Sequence, residues 1–368
     1  MCLEEERDMS VKTRDANIEL LRVIMACGVV VLHYNGSVAF SHVAQGSANY
    51  FILLLLEGLF ICAVNLFMLI SGYYLSVTKQ RRAVKVLDLL IQVMVIGVMK
   101  YLLNSLLSGE SIRVKSLFFS AIPNSYFVTL YLAVYLFSPY INLALEHLSQ
   151  KQFRLLLGLS LILFSVWPTM LDIVKAVGYD VAGMYTTNTA GSQSGYSFLN
   201  FALMYLIGAY LRRFGSTQMQ QTGRLVIGLI GCAALIFIWQ LFLPETARSY
   251  CNPLVIWEAV LFFRLFQKVK TESKVVKTLA KATFTCYLFH DVLLHYIGIQ
   301  LVVNGNPLIL LGHMLLSVIG IFLASWCVWK LYDLLSHPLI RWMDDRISFL
   351  DRFLSVHLVN DTSSGGCQ

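Results

Sequence analysis

Runs of about twenty apolar residues recur along the whole chain, separated by short polar loops. Such a run matches the hydrocarbon thickness of a bilayer when it is helical, and a helix satisfies all of its own backbone groups there. Hydrophobic residues fill 57% of the 368 positions and charged residues only 13%, about half the share of a soluble domain. The chain therefore reads as an all-α polytopic membrane protein. Ten spans can be drawn, at about residues 17–36, 50–76, 86–107, 125–146, 154–172, 196–213, 223–243, 251–268, 280–302 and 308–333.

The positive charges orient these spans. With the N-terminus in the cytoplasm, 22 of the 28 Lys and Arg residues fall in cytoplasmic loops. Four (Arg113, Lys115, Lys175 and Arg248) fall outside, and Arg22 and Lys100 lie within spans. This bias predicts about ten transmembrane helices with both termini cytoplasmic. It also explains the net charge of +7 without a nucleic-acid partner. A single domain is expected over 14–345, between a cytoplasmic lead-in, 1–13, and a partly disordered tail, 346–368. The lead-in is acidic and mixed, unlike a secretory signal. The eight cysteines are scattered with no CxxC pair, which argues against a disulfide frame or structural zinc. Residues 109–124 form an outer loop with a possible interfacial segment. The longest outer loop, 173–197, is rich in Gly, Ser, Thr and Tyr, and either contacts a carbohydrate or is a solvated connector.

The first span holds an arginine and a histidine, Arg22 and His33. Eleven residues at about 100° each return to one helix face, about 16 Å further along. Ionisable groups inside an apolar span are costly, so the default reading is functional. Arg22 would lie near the cytoplasmic face, where it either binds phosphate or snorkels and pairs with Glu19. His33 lies deeper, as a base or as a satisfied interior histidine. Span two ends in Ser71 and Gly72, which offer a hydroxyl and close backbone approach, or plain helix packing. Lys79, Arg81, Arg82 and Lys85 follow, as a topology signal or as a nucleotide phosphate site. Span nine places His290 at a depth comparable to His33, as a second acid–base group or a helix–helix hydrogen bond. Tyr126, Tyr131 and Tyr135 in span four read as an aromatic belt or core.

In order, these segments resemble acyltransferase family 3, integral membrane proteins that O-acylate carbohydrates and other envelope acceptors. The family signature, arginine then ten residues then histidine, falls on Arg22 and His33. VNLFMLISGYYL resembles the family's second-helix motif, with Ser71, Gly72 and Tyr73, and Arg81 and Arg82 follow it as in the family. SYFVTLYLAVYLFSP and FLNFALMYLIGAYLRR resemble later helices, and TFTCYLFH resembles the late motif, on Tyr287 and His290. The resemblance covers about residues 14–340. It implies a bacterial inner-membrane O-acyltransferase, most often an acetyltransferase. The donor would be cytoplasmic acetyl-CoA or another acyl-CoA, and the acceptor a carbohydrate or lipid-linked glycan, with no metal. Arg22, Arg81 and Arg82 would hold the donor's phosphates, with Ser71, Gly72, Tyr73 and Tyr287 also at the donor. His33 would act as general base or carry the acyl group, and His290 would assist. The rival expectation is a transporter or flippase moving its substrate without covalent change. The lack of an internal repeat counts against one built from inverted halves. Neither the sequence nor the resemblance fixes an oligomeric state.

Overall fold

The computed structural model describes residues 15–78, 80–189, 191–215 and 221–354. The expected lead-in, the last part of the expected tail and Lys79 lie outside the described residues. Among the described residues the chain is helical, without a strand. Seven helical stretches are long and apolar enough to cross a membrane: Ala16–His42, Ala48–Leu75, Ala83–Ser108, Tyr126–Glu146, Gln150–Ala176, Thr222–Phe242 and Pro307–Arg352. Their outward faces leave Leu106, Ile227, Leu308 and Leu316 exposed, as a lipid-facing surface requires.

Three of the stretches are interrupted. The first is α1 (Ala16–Tyr34) followed by a π-helical turn, Asn35–Ala39. The second divides at a turn into α2 (Ala48–Phe60) and α3 (Ala63–Leu75). After α4 (Ala83–Ser108), the short α5 (Val114–Ser120) and α6 (Tyr126–Glu146), the third joins α7 (Gln150–Leu161) to α8 (Trp167–Ala176) through a second π-turn. Each π-turn carries a polar side chain that bonds a neighbouring segment. Asn35 Nδ2 donates to the Leu53 carbonyl and to Glu57, and Ser165 Oγ donates to the Cys251 carbonyl.

The remaining expected spans are shorter helices: α9 (Phe198–Phe214), α11 (Pro253–Phe266) and α13 (Thr283–Leu294), of 17, 14 and 12 residues. They are largely buried among the longer helices, and they carry Asn200, Glu258, Arg264 and His290 inside the protein. Interior placement relaxes the need for a long, wholly apolar surface. The expected span 280–302 stops early, at Leu294, and Gly298 then turns the chain with φ +67°. The last expected span, 308–333, instead continues through α14 (Pro307–Ile347). This helix and the turn that follows it are tied to α4: Tyr332 donates to Asp88, Arg82 pairs with Asp344, and the Ala83 amide donates to Asp351. Asp351 thus caps a helix start that has no side-chain cap of its own. The other elements are α10 (Thr222–Phe242), which packs on α11, and α12 (Lys274–Ala280), which packs on α1.

The tightest crossing is α3 against α9. A Cβ on Gly72 would lie 2.2 Å from the Tyr205 carbonyl, and one on Gly208 would lie 2.2 Å from the Leu69 carbonyl. Only glycine permits such backbone approach, the usual small-residue solution for helices in lipid. This crossing fixes α3, and with it one wall of the site.

Candidate active site

One stripe of α1 carries Arg22, Val29 and His33, at steps of seven and four residues. On α13, Tyr287 and His290 share a face one turn apart. The two helices bring the histidines together. The rings of His33 and His290 meet edge to face, with centroids 4.5 Å apart. His290 is buried, and its Nδ1 lies 3.0 Å from the Cys286 carbonyl. A carbonyl only accepts, so Nδ1 carries the proton. That tautomer leaves a lone pair on Nε2, which is buried and has no hydrogen-bond partner. His33 keeps an exposed ring. Beside them, Lys100 on α4 and Asp291 on α13 form an ion pair at 2.6 Å.

A cleft of about 200 Å³ runs between α1, α3, α4, α6 and α13. Arg22 and Thr283 line one region of it, and Val29 and Tyr287 line another, each one turn short of a histidine. The lining is chiefly apolar (Phe67, Ile70, Phe127 and Phe284 among it), with Ser71, Tyr74, Lys85 and Tyr131 as polar contributors. Arg22 itself holds Glu19 at 2.7 Å and donates to Thr283 Oγ1 at 3.1 Å. It therefore forms the Glu19 pair and lines the cleft at once. Both contacts orient the guanidinium on the wall of the cleft.

The other residues singled out in the sequence are distributed as follows. Ser71 lines the cleft and donates its proton to the Phe67 carbonyl, leaving its oxygen to accept. Gly72 faces α9. The Tyr73 ring packs on Phe263 at 4.9 Å, beneath Arg212. Arg81 is buried at 1% exposure and fully engaged. It donates to Ser138 Oγ at 2.7 Å and to the Thr78 and Leu75 carbonyls at 2.9 and 3.1 Å, closing the C-terminal end of α3. Arg82 points outward to Asp344. The structure thus brings Arg22, Ser71 and Tyr287 to one cleft, with the two histidines a turn past its lining, and sets Gly72, Tyr73, Arg81 and Arg82 outside that lining.

Sequence reasoning passed over Tyr74, Thr283 and Lys100. Tyr74 sits one turn beyond Ser71, and its hydroxyl donates to Asp15. That i+3 relation was a usable signal. Lys100 was visible as the second charge inside a span, but its partner on α13 was not.

The arrangement offers an apolar channel with a cation in its wall and two imidazoles just past its lining, a geometry for general acid–base chemistry on an elongated substrate. Comparison with curated proteins and with solved structures found no match. Comparison with family models found one, the acyltransferase domain, over residues 15–330. The match spans the helices that build the cleft, and the chain belongs to acyltransferase family 3.

Proposed function

We propose that the protein is an acyl-CoA-dependent O-acyltransferase of the bacterial inner membrane, with acetyl-CoA as donor and a carbohydrate or lipid-linked glycan as acceptor. The observation that carries this reading is the pair of meeting histidines beyond a narrow apolar cleft that Arg22 lines. In this reading ten helices cross the membrane and both termini are cytoplasmic. The donor enters from the cytoplasm. Its phosphates meet Arg22 and Lys85, and its acyl-pantetheine arm follows the apolar wall towards the histidines. The rise of about 16 Å from Arg22 to His33 is of the same order as that arm. Arg22 lines the cleft and Arg81 and Arg82 do not, so Arg22 is the stronger candidate for the phosphate clamp.

His33, with its exposed ring, takes the proton from the acceptor hydroxyl as that oxygen attacks the thioester carbonyl. The carbon–sulfur bond breaks, and the proton passes to the departing thiolate. His290 holds a fixed tautomer through Cys286 and positions His33 edge to face. The Lys100–Asp291 pair supplies charge beside the imidazolium that forms. A ligand that binds the folded state raises its thermal stability by an amount set by concentration over Kd. Purified protein should therefore gain thermal stability with millimolar acetyl-CoA, and Arg22→Ala should lose most of that gain. A wild-type protein indifferent to acetyl-CoA would count against the donor assignment.

A further inference from the structure

Three tyrosines from separate parts of the sequence meet near the cleft, and the transfer chemistry above does not use them. The rings of Tyr126 and Tyr196 lie 4.6 Å apart, and those of Tyr196 and Tyr250 lie 4.9 Å apart, both edge to face. Tyr250 is 7% exposed, whereas Tyr126 and Tyr196 are 40% and 43% exposed, so one ring anchors and two are presented. The cluster adjoins the cleft through α6. Phe127, next to Tyr126, lines the cleft and packs on Tyr287 at 5.1 Å. Ser125 Oγ lies 3.2 Å from the Tyr287 hydroxyl. Tyr287 in turn lies 6.4 Å from His290, ring to ring.

The cluster is held with more structure than a solvated connector needs. Gln193 and Ser194 take φ of +53° and +51°, the left-handed region that side chains rarely adopt. They are kept there from both sides. The Tyr250 amide donates to the Ser194 carbonyl at 2.8 Å, and Ser192 bonds Asp172. A Cβ on Gly195 would strike the Cys251 amide at 2.4 Å. An amide relay secures the other side: Asn65 donates to the Tyr250 carbonyl at 2.7 Å, and Asn200 donates to Asn65 at 3.0 Å.

We infer that Tyr126, Tyr196 and Tyr250 form the acceptor subsite, a platform on which a sugar ring stacks so that one of its hydroxyls reaches the histidines. This rests on the acyl-transfer reading above. A sugar ring presents a face of C–H groups that packs on an aromatic surface, and phenol hydroxyls at the rim bond its hydroxyls. The platform adjoins the cleft through Ser125, Phe127 and Tyr287, and its three rings are not among the cleft's lining residues, so donor and acceptor approach the histidines from different sides. A plain membrane-interface belt would have the same residue type, but neither the route to His290 nor the braced turn.

The test uses the full-length protein in its own membranes, supplied with radiolabelled acetyl-CoA. Label is followed into carbohydrate, lipid and protein fractions, with thermal stabilisation by acetyl-CoA measured on the same variants. The double variant Tyr126→Ala, Tyr196→Ala should lose about tenfold or more of the carbohydrate label while keeping its acetyl-CoA stabilisation. Tyr196→Trp, which preserves a stacking face, should retain most of the label. Undiminished labelling in the double variant overturns the platform, as does a loss of label that comes with equal loss of acetyl-CoA stabilisation. His33-dependent label that wild type places in lipid or protein overturns the carbohydrate class. Wild-type membranes with no label that depends on His33 overturn the acyl-transfer reading itself, and the platform with it.

Discussion

Two helix contacts inside the bundle are built in opposite ways. Where α3 crosses α9, Gly72 and Gly208 let backbone touch backbone, and Arg81 closes the end of α3 with its donors engaged. Where α1 meets α13, two histidine rings meet, one exposed and one with a buried nitrogen that nothing satisfies. The first contact uses small residues and complete hydrogen bonding, which suits stability. The second leaves polar capacity unspent in an apolar setting, which stability alone does not explain. Both derive from conspicuous residues in apolar helices, so conspicuousness alone does not separate a structural contact from a chemical one. What separates them is whether the polar groups are already used.

That contrast can be broken at four points. The largest effect should come from Gly72→Leu, which forces α3 and α9 apart. Overpacking of this kind costs about 3 kcal/mol, and the variant should yield little monodisperse protein in detergent, read by size exclusion and thermal melting. Wild-type behaviour would mean the helices do not approach as closely as described. Arg81→Ala should follow, at about 2 kcal/mol, because it removes the buried guanidinium that joins Ser138 to the end of α3. Its KM for acyl-CoA should stay unchanged, and a raised KM with intact stability would reassign Arg81 to the donor. Arg22→Ala should act on the donor, raising KM for acyl-CoA about tenfold, equivalent to about 1.4 kcal/mol, alongside a lowered melting temperature from the loss of its contacts to buried Glu19 and to Thr283. The smallest change belongs to Arg82→Ala. Its ion pair with Asp344 is mostly exposed, so stability should move by less than about 0.5 kcal/mol.

The helical class, most span positions and the Arg22–His33 alignment were legible in the sequence because they follow from hydropathy and helical period alone. The approach of His290 to His33 was not, since no local rule joins residues so far apart in the chain; the topology gave them only a comparable depth, and the resemblance gave both a role. Arg81 and Arg82 show the complementary limit. A basic cluster after a span looks the same whether its members face a phosphate, a helix end or a neighbouring carboxylate. Which of these holds depends on Ser138 and Asp344, both distant in sequence. The interior helices α11 and α13 were placed correctly but drawn too long, whereas α9 was placed to within two residues at each end. Their burial lets them carry polar residues and stop short, where a lipid-facing helix must continue.

The central claim is that His33 performs the transfer and does not merely fill the bundle. Its most direct test is acetyl transfer by purified His33→Ala, measured alongside acetyl-CoA binding by the same preparation. Loss of a general base should lower the rate by about a hundredfold or more, with binding and melting temperature unchanged. Transfer at the wild-type rate by a folded His33→Ala protein would contradict the account.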